Sequence, residues 1–251
     1  MWYNVTMKIT SKSNPLIKST KKLLQKKHRK DSYLIEGWHL FEEATKAKQT
    51  FLNIFVLEEL SDRVLGLDKV TIVSDEVLKE LTDSPTPQGI ICEIQFKEKE
   101  LPVGSNQKLL LLEDVQDPGN LGTIIRTADA AKFDGVILST KCADLYNQKT
   151  LRSMQGSHFH LPIWRTDVYD FCKGKTEKSI PVIASTLSQR SKDYKTFDKM
   201  DSFVLVMGNE GKGISPQMEE VASDFIHISM PGQAESLNVA VAAGILIFSL
   251  I

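Results

Sequence analysis

Apolar positions along this 251-residue chain fall into short strand-like runs separated by stretches with helical spacing. A helix is expected after Pro15, whose fixed backbone angle suits a first helical turn. A strand at 33–36, a helix over 40–47, strands at 54–57 and 70–73, a helix near 76–81 and a strand at 89–94 follow. This alternation predicts a small α/β module over 1–96. The stretch 97–107, KEKELPVGSNQ, is charged and then turn-rich with little to bury, and reads as a linker. Beyond it, residues 109–112 are continuously apolar, as expected of a parallel strand covered on both faces. Further strands at 136–138, 181–184, 203–207 and 225–228, with helical stretches between, predict an α/β domain with a mainly parallel sheet over 108–251.

Composition narrows the class. Hydrophobic residues make up 41% and charged residues 25%, the balance of a soluble globular protein. Cys92, Cys142 and Cys172 lie far apart with no CxxC, which fits a reduced, cytoplasmic chain and argues against a disulfide scaffold or a cysteine metal site. The lysine-rich start lacks the apolar core of a signal peptide, and Met7 reads as a natural start with 1–6 as an extension. The longest apolar run, 239–248, is too short to span a bilayer, so no membrane is expected.

The net charge of −1 hides an asymmetry, since residues 1–30 hold nine Lys and Arg and no acid. A basic opening to an otherwise acidic chain suggests a polyanionic partner, with Lys18, Lys21, Lys22, Lys26, Lys27 and Arg29 as candidate phosphate contacts. Charge alone does not separate that from a solvated, lysine-rich helix.

Three segments carry candidate chemistry, each after an expected strand, where open α/β sheets bind ligands. In the first, EDVQDPGNLGTIIRTA, Asp117-Pro118-Gly119-Asn120 is a turn and Asn120 a candidate helix cap. Leu121, Ile124, Ile125, Ala128 and Ala131 then form an apolar stripe, which leaves Arg126 on the polar face with Thr123. Arg126 is either solvated or a rigid fork of donors at the crevice. The second segment, VMGNEGKGIS, contains Gly-Lys but fails the phosphate-loop pattern, because Gly213 follows Lys212 where Ser or Thr is required. It also lacks the third glycine of a dinucleotide fingerprint, and what remains is a loop whose backbone can approach a planar ligand closely. In the third, IHISMPGQAESLNVAVAAG, Ser236 reads as the cap of a helix with Asn238 in its first turn. That helix is apolar on every face and belongs in the core or in a subunit interface.

Together the segments resemble the three signature motifs of the SpoU (TrmH) family of RNA ribose methyltransferases, of the SPOUT class. The matches are Asn120-x-Gly122-x-x-x-Arg126-x-Ala128, Gly208-Asn209-Glu210-Gly211-x-Gly213 and Ser236-Leu237-Asn238-Val239, in order within one domain. The basic start through Ile35-Glu36-Gly37 is similar to the ribosomal-protein-like RNA-binding module at the front of many members. The resemblance implies a C-terminal trefoil knot whose loops hold S-adenosyl-methionine, transfer of its methyl group to a ribose 2′-hydroxyl without a metal, and a homodimer. It implies cofactor contacts at Gly208, Ile228 and Leu237, with Thr186, Leu187 and Met230 behind them. It also implies catalytic or substrate-handling roles for Asn120, Arg126, Glu210, Ser236 and Asn238. Ala240 departs from the serine many members carry, and the chain stops early at Ile251, which could alter dimer packing.

A guanidinium stays protonated in nearly any protein setting, so Arg126 is expected to hold the ribose hydroxyl and a nearby phosphate. His158 and His160, in GSHFHLP, read as structural. The front module favours ribosomal over transfer RNA. A non-catalytic RNA-binding protein would explain the basic start but not the set of Asn120, Arg126, Glu210 and Asn238. A Rossmann-type methyltransferase should place a glycine-rich turn after the first strand of its domain, where Asp117-Pro118-Gly119-Asn120 stands.

Overall fold

The computed structural model describes residues 8–97 and 106–251. The proposed extension at 1–6, Met7 and all but the ends of the expected linker lie outside them. The chain divides into two compact units, Met1–Glu98 with Tyr146–Phe159, and Lys99–Leu145 with His160–Ile251.

In the first unit, Asn14 caps helix α1 (Pro15–Lys22), its Oδ1 accepting from the Leu16 amide at 2.9 Å. Ile17 and Thr20 turn inward, and Lys18, Lys21 and Lys22 stay exposed. Strand β1 (Ser32–Glu36), helix α2 (Trp38–Lys46), strands β2 (Phe51–Leu57) and β3 (Val70–Val73), helix α3 (Asp75–Leu78) and strand β4 (Ile90–Gln95) follow. The helix expected near 76–81 tightens after Leu78 into a single 3-10 turn. The sheet runs β1-β4-β2-β3, antiparallel except for β2 against β3. Leu34, Phe55 and Ile91 pack on one face with Ile17, Val77, Leu78 and Leu81.

The basic block has no acid within it, but the fold supplies some. Lys8 pairs with Glu58, and Lys12 and Lys21 both pair with Glu80, Lys12 at 3.0 Å. The two ammonium groups, Lys21 foremost, pull the Glu80 carboxyl down to about 2. Lys22, Lys26 and Lys27 are exposed, while Arg29 is half-buried with Nη2 on the Leu24 carbonyl at 3.5 Å.

In the second unit, β5 (Lys108–Leu112), α4 (Pro118–Ala130) and β6 (Gly135–Leu138) lead up to the segment that joins the first unit. That segment holds α5 (Gln148–Met154). There, buried Gln148 donates to the Leu81 carbonyl at 3.2 Å and accepts from the Asp83 amide at 2.8 Å. Arg152 meets Asp83 at 2.8 Å, and the Tyr33 hydroxyl meets His158 Nε2 at 3.0 Å. The second unit resumes with β7 (Ile163–Arg165), α6 (Val168–Thr176), β8 (Val182–Ser185), β9 (Lys192–Asp193), β10 (Phe203–Met207), α7 (Pro216–Val221), β11 (Asp224–His227) and α8 (Val239–Ser249).

The seven strands run β7-β6-β5-β10-β8-β11-β9, every neighbouring pair parallel. Leu109, Leu111, Val204 and Val206 pack with Cys172 and Met218 on one face. Leu110, Leu112 and Leu205 are equally inaccessible on the other, so the apolar runs are apolar because both faces are covered. Helix α4 packs on α8. The all-round apolar α8 is only half covered: Ala243, Leu246 and Ile247 are buried, while Val241 and Phe248 are 53% and 55% exposed.

Candidate active site

The strands β5, β10, β8 and β11 end at the same edge of the sheet, and the loops after them form the site. After β5, the first helical turn is capped by Asp117, not by Asn120: Asp117 Oδ1 accepts from the Asn120 amide at 2.9 Å, and Pro118 takes the first helical position. The Asp-Pro pair is the stronger signal, since proline at N1 requires the cap to stand directly before it. Asn120 therefore sits inside the helix with its side chain free to act elsewhere. Leu121, Ile124, Ile125 and Ala128 are fully buried and Arg126 is exposed, as the spacing predicts.

After β10 the chain makes a tight loop in which Asn209 and Gly213 exchange both backbone hydrogen bonds at 2.9 Å. Asn209 Oδ1 accepts from the amides of Gly211 and Lys212 at 3.0 and 3.1 Å. A Cβ at Gly208 would lie 2.2 Å from the Gly213 carbonyl carbon, so only glycine fits. Gly213 itself takes φ +68°, a conformation glycine adopts without strain. After β11, Asn238 rather than Ser236 is the helix cap, its Oδ1 accepting from the Ala240 and Val241 amides at 2.9 and 3.3 Å.

Glu210 and Asn120 link the three loops. The Glu210 carboxylate accepts from the amides of Asp117 at 2.9 Å and Gln116 at 3.1 Å, and from Asn120 Nδ2 at 3.3 Å. Asn238 Nδ2 then donates to Asn120 Oδ1 at 3.0 Å. Burial works against the charge on Glu210, but these donors outweigh it and hold the carboxyl below its usual range. Glu210 is therefore an anion at neutral pH with its lone pairs occupied, which suits an organiser and not a proton acceptor.

Beside this network lies a cleft of about 380 Å³. Thr186, Leu187, Gly208, Glu210, Ile228, Met230, Ser236 and Leu237 all line it, so eight of the residues singled out in the sequence share one cavity. Asn120 joins it through Glu210 and Asn238 through Asn120, and Arg126 is on the exposed face of α4, not among the lining residues. The walls combine apolar Leu187, Met207, Ile228, Met230 and Val239 with the backbone of a glycine-rich loop. That suits a flat heterocycle on an aliphatic tail, held by main-chain groups.

The sequence reading gave no site role to Asn209, Lys212 or His227, which stand on the wall. It also missed Glu113, a buried carboxylate that accepts from the Ser215 amide at 2.9 Å and the Tyr169 hydroxyl at 2.9 Å. Only the isolated acid at the end of an apolar strand could have pointed to Glu113. Among the described residues no cluster of three or more His, Cys, Asp or Glu could hold a metal ion, and no helix is long and apolar enough to cross a membrane.

The sequence model of the SpoU rRNA Methylase family matches residues 107–248, and that of an MRM3-like substrate binding domain matches residues 14–92. The chain is 40% identical over 247 residues to the 23S rRNA (guanosine(2553)-2′-O)-methyltransferase RlmP of Bacillus subtilis, covering 96% of this chain and 98% of that one. An AdoMet-bound rRNA methyltransferase from Sinorhizobium meliloti superposes with a TM-score of 0.86 at 33% identity, covering 97% of both chains. The SpoU methyltransferase AviRb from Streptomyces viridochromogenes, solved with AdoMet, gives 0.82 at 25% identity over 94% of this chain and 97% of that one. With its three motifs joined through Glu210 and Asn120 and nearly its whole length matched, the chain belongs to the SpoU rRNA methylase family.

Proposed function

We propose that this protein methylates a ribose 2′-hydroxyl of ribosomal RNA with S-adenosyl-methionine, residues 108–251 carrying the chemistry and residues 1–96 choosing the RNA. The observation that carries this reading is the Glu210–Asn120–Asn238 network beside the cleft, which joins the three motif loops. Resemblance to RlmP across nearly the whole length favours ribosomal over transfer RNA.

The cleft fits the cofactor: Gly208 lies so close to the Gly213 and Ile214 backbone that the 208–213 loop forms a tight main-chain wall, and Leu187, Ile228, Met230 and Leu237 supply apolar walls. Backbone groups of the 208–213 loop and Thr186 would hold the cofactor there, and it would supply a methyl group already activated on sulfonium. The protein's own task is alignment and proton handling. Arg126 holds the ribose hydroxyl and a neighbouring phosphate with its planar fork. The hydroxyl proton leaves late, toward that phosphate, because a guanidinium such as that of Arg126 offers donors and no acceptor and the Glu210 carboxylate is already taken up by Gln116, Asp117 and Asn120. Asn120 and Asn238 fix the crevice in which the ribose sits, with Ser236 on its wall.

The exposed Val241 and Phe248 of α8 support a homodimer formed through this helix, in keeping with the apolar excess there. Knotting of the C-terminal segment is supported by β10 lying between β5 and β8, with α8 returned against α4. Three buried free cysteines support a cytoplasmic home.

The test is tritiated-methyl transfer to total RNA from cells lacking the protein, followed by size separation and nuclease digestion. Label on the ribose of ribosomal RNA is expected. Label on a base, or in transfer RNA alone, overturns the assignment.

A further inference from the structure

We propose that Arg165, outside all three motifs, is a positioning residue for the motif-two loop and acts through the turn at 139–143 and Asp114. Its guanidinium ends β7 and donates to four main-chain carbonyls of that turn. Nη1 reaches Ser139 at 2.6 Å, Thr140 at 3.2 Å and Cys142 at 3.0 Å, and Nη2 reaches Ala143 at 2.7 Å. Carbonyl dipoles that converge on one point repel unless a cation sits among them, and a planar fork spreads its donors where a point charge does not.

The turn so held is stitched to the end of β5. The Ser139 amide donates to the Leu112 carbonyl at 3.0 Å and the Ala143 amide to the Val115 carbonyl at 2.8 Å. Ser139 Oγ accepts from the Asp114 amide at 2.9 Å and donates to its carboxylate at 2.6 Å. Asp114 sits at φ +57°, an uncommon conformation outside glycine that these bonds hold in place. That conformation aims its carbonyl at motif two, where it accepts from Asn209 Nδ2 at 2.8 Å. Asn209 is the residue whose other side-chain atom gathers the Gly211 and Lys212 amides. The neighbouring Glu113 grips the far end of the same loop at Ser215 through the amide at 2.9 Å and the hydroxyl at 2.5 Å. Two consecutive residues thus clamp both ends of the cleft-lining loop, and Arg165 sets the nearer clamp from a strand two places away in the sheet.

This rests on the cleft being the cofactor site, so the test includes a measurement that needs no cofactor. Hydrogen exchange of the cofactor-free, full-length protein is followed in Arg165→Gln, in the milder Ser139→Ala and in the double variant, alongside S-adenosyl-methionine affinity and kcat. Loss of a few hydrogen bonds in the chain predicts about tenfold faster exchange at 209–213 and about five- to tenfold weaker cofactor binding in Arg165→Gln. Because both changes act through Asp114, the double variant is expected to be no worse than Arg165→Gln alone. Faster exchange confined to 139–143, with 209–213 unchanged, overturns the proposal, as do losses that simply add. If Arg165→Gln does not fold, Ser139→Ala decides by the same exchange readout. A wild-type protein that failed to bind S-adenosyl-methionine would instead sink the cofactor reading and leave the exchange result standing.

Discussion

Replacing Gly208 by alanine separates space from conformation at the cleft. Gly208 does not have a positive φ, so an alanine there meets no backbone strain and would ordinarily stabilise by about 0.4–1 kcal/mol through the unfolded chain. What forbids it is crowding, since the added Cβ would stand 2.2 Å from the Gly213 carbonyl carbon and 2.4 Å from the Gly213 oxygen and the Ile214 nitrogen. Ordinary van der Waals separation begins at 3.4 Å, and all three obstacles are backbone atoms, so the loop has to move by about an ångström. The first things to go are the two hydrogen bonds between Asn209 and Gly213, worth about 1 kcal/mol each. Together they set the expected weakening of cofactor binding at about thirtyfold. Calorimetry with S-adenosyl-methionine measures it, with thermal unfolding to confirm that the variant folds. A folded Gly208→Ala protein binding within twofold of wild type would refute the account of the loop and the placing of the cofactor against it.

Arg126→Ala is expected to bind S-adenosyl-methionine normally yet lose most methyl transfer, and Arg126→Lys to fail almost as badly; calorimetry and tritium transfer on the same samples check both. Replacing Lys18, Lys22, Lys26 and Lys27 by Gln should weaken RNA binding and flatten its log–log salt dependence by about 0.7–0.9 for each phosphate left without its lysine. Lys21→Gln should do less, because Glu80 already holds that ammonium. For Glu210 the folded carboxyl lies below its ordinary value, so its contribution is complete above the usual carboxylate range and is lost as pH falls through the folded pKa. Stability against unfolding should therefore be independent of this group between about pH 8 and about pH 5 and fall on further acidification, a fall that Glu210→Gln removes and that denaturant titrations across pH measure.

The buried strands were legible because a sheet covered on both faces leaves no place for a polar residue, as in Leu109–Leu112 and Phe203–Met207. The edge strands Ile163–Arg165 and Lys192–Asp193 were not, being short and half-exposed, with no alternation for a pattern to register. The loops of the cleft were legible through glycine and asparagine at strand ends, whereas Thr186, Leu187, Ile228, Met230 and Leu237 came only with the resemblance to the SpoU family, and the caps were misread by two or three positions. Asn120 and Asn238 look alike in sequence, yet the first lies inside its helix and the second caps one; Pro118 settles only the first of these. Nothing local marked Glu80 as the partner of Lys12 and Lys21, an attraction across 68 and 59 residues that exists only after folding. The same holds for Arg165, whose partners are carbonyls and therefore leave no trace in residue types.

The grouping of Tyr146–Phe159 with the front of the chain bears on how such proteins can be recombined. Any graft of this front module onto another methyltransferase core breaks the Gln148 hydrogen bonds with Leu81 and Asp83 unless α5 travels with it. Arg152 and His158 would lose Asp83 and Tyr33 in the same exchange. Across relatives that have traded front modules, α5 should therefore vary in step with the RNA-choosing half, although it is encoded inside the catalytic one. A chimaera cut once, near residue 100, inherits mismatched parts, whereas one that also transplants 146–159 keeps each hydrogen bond with its partner.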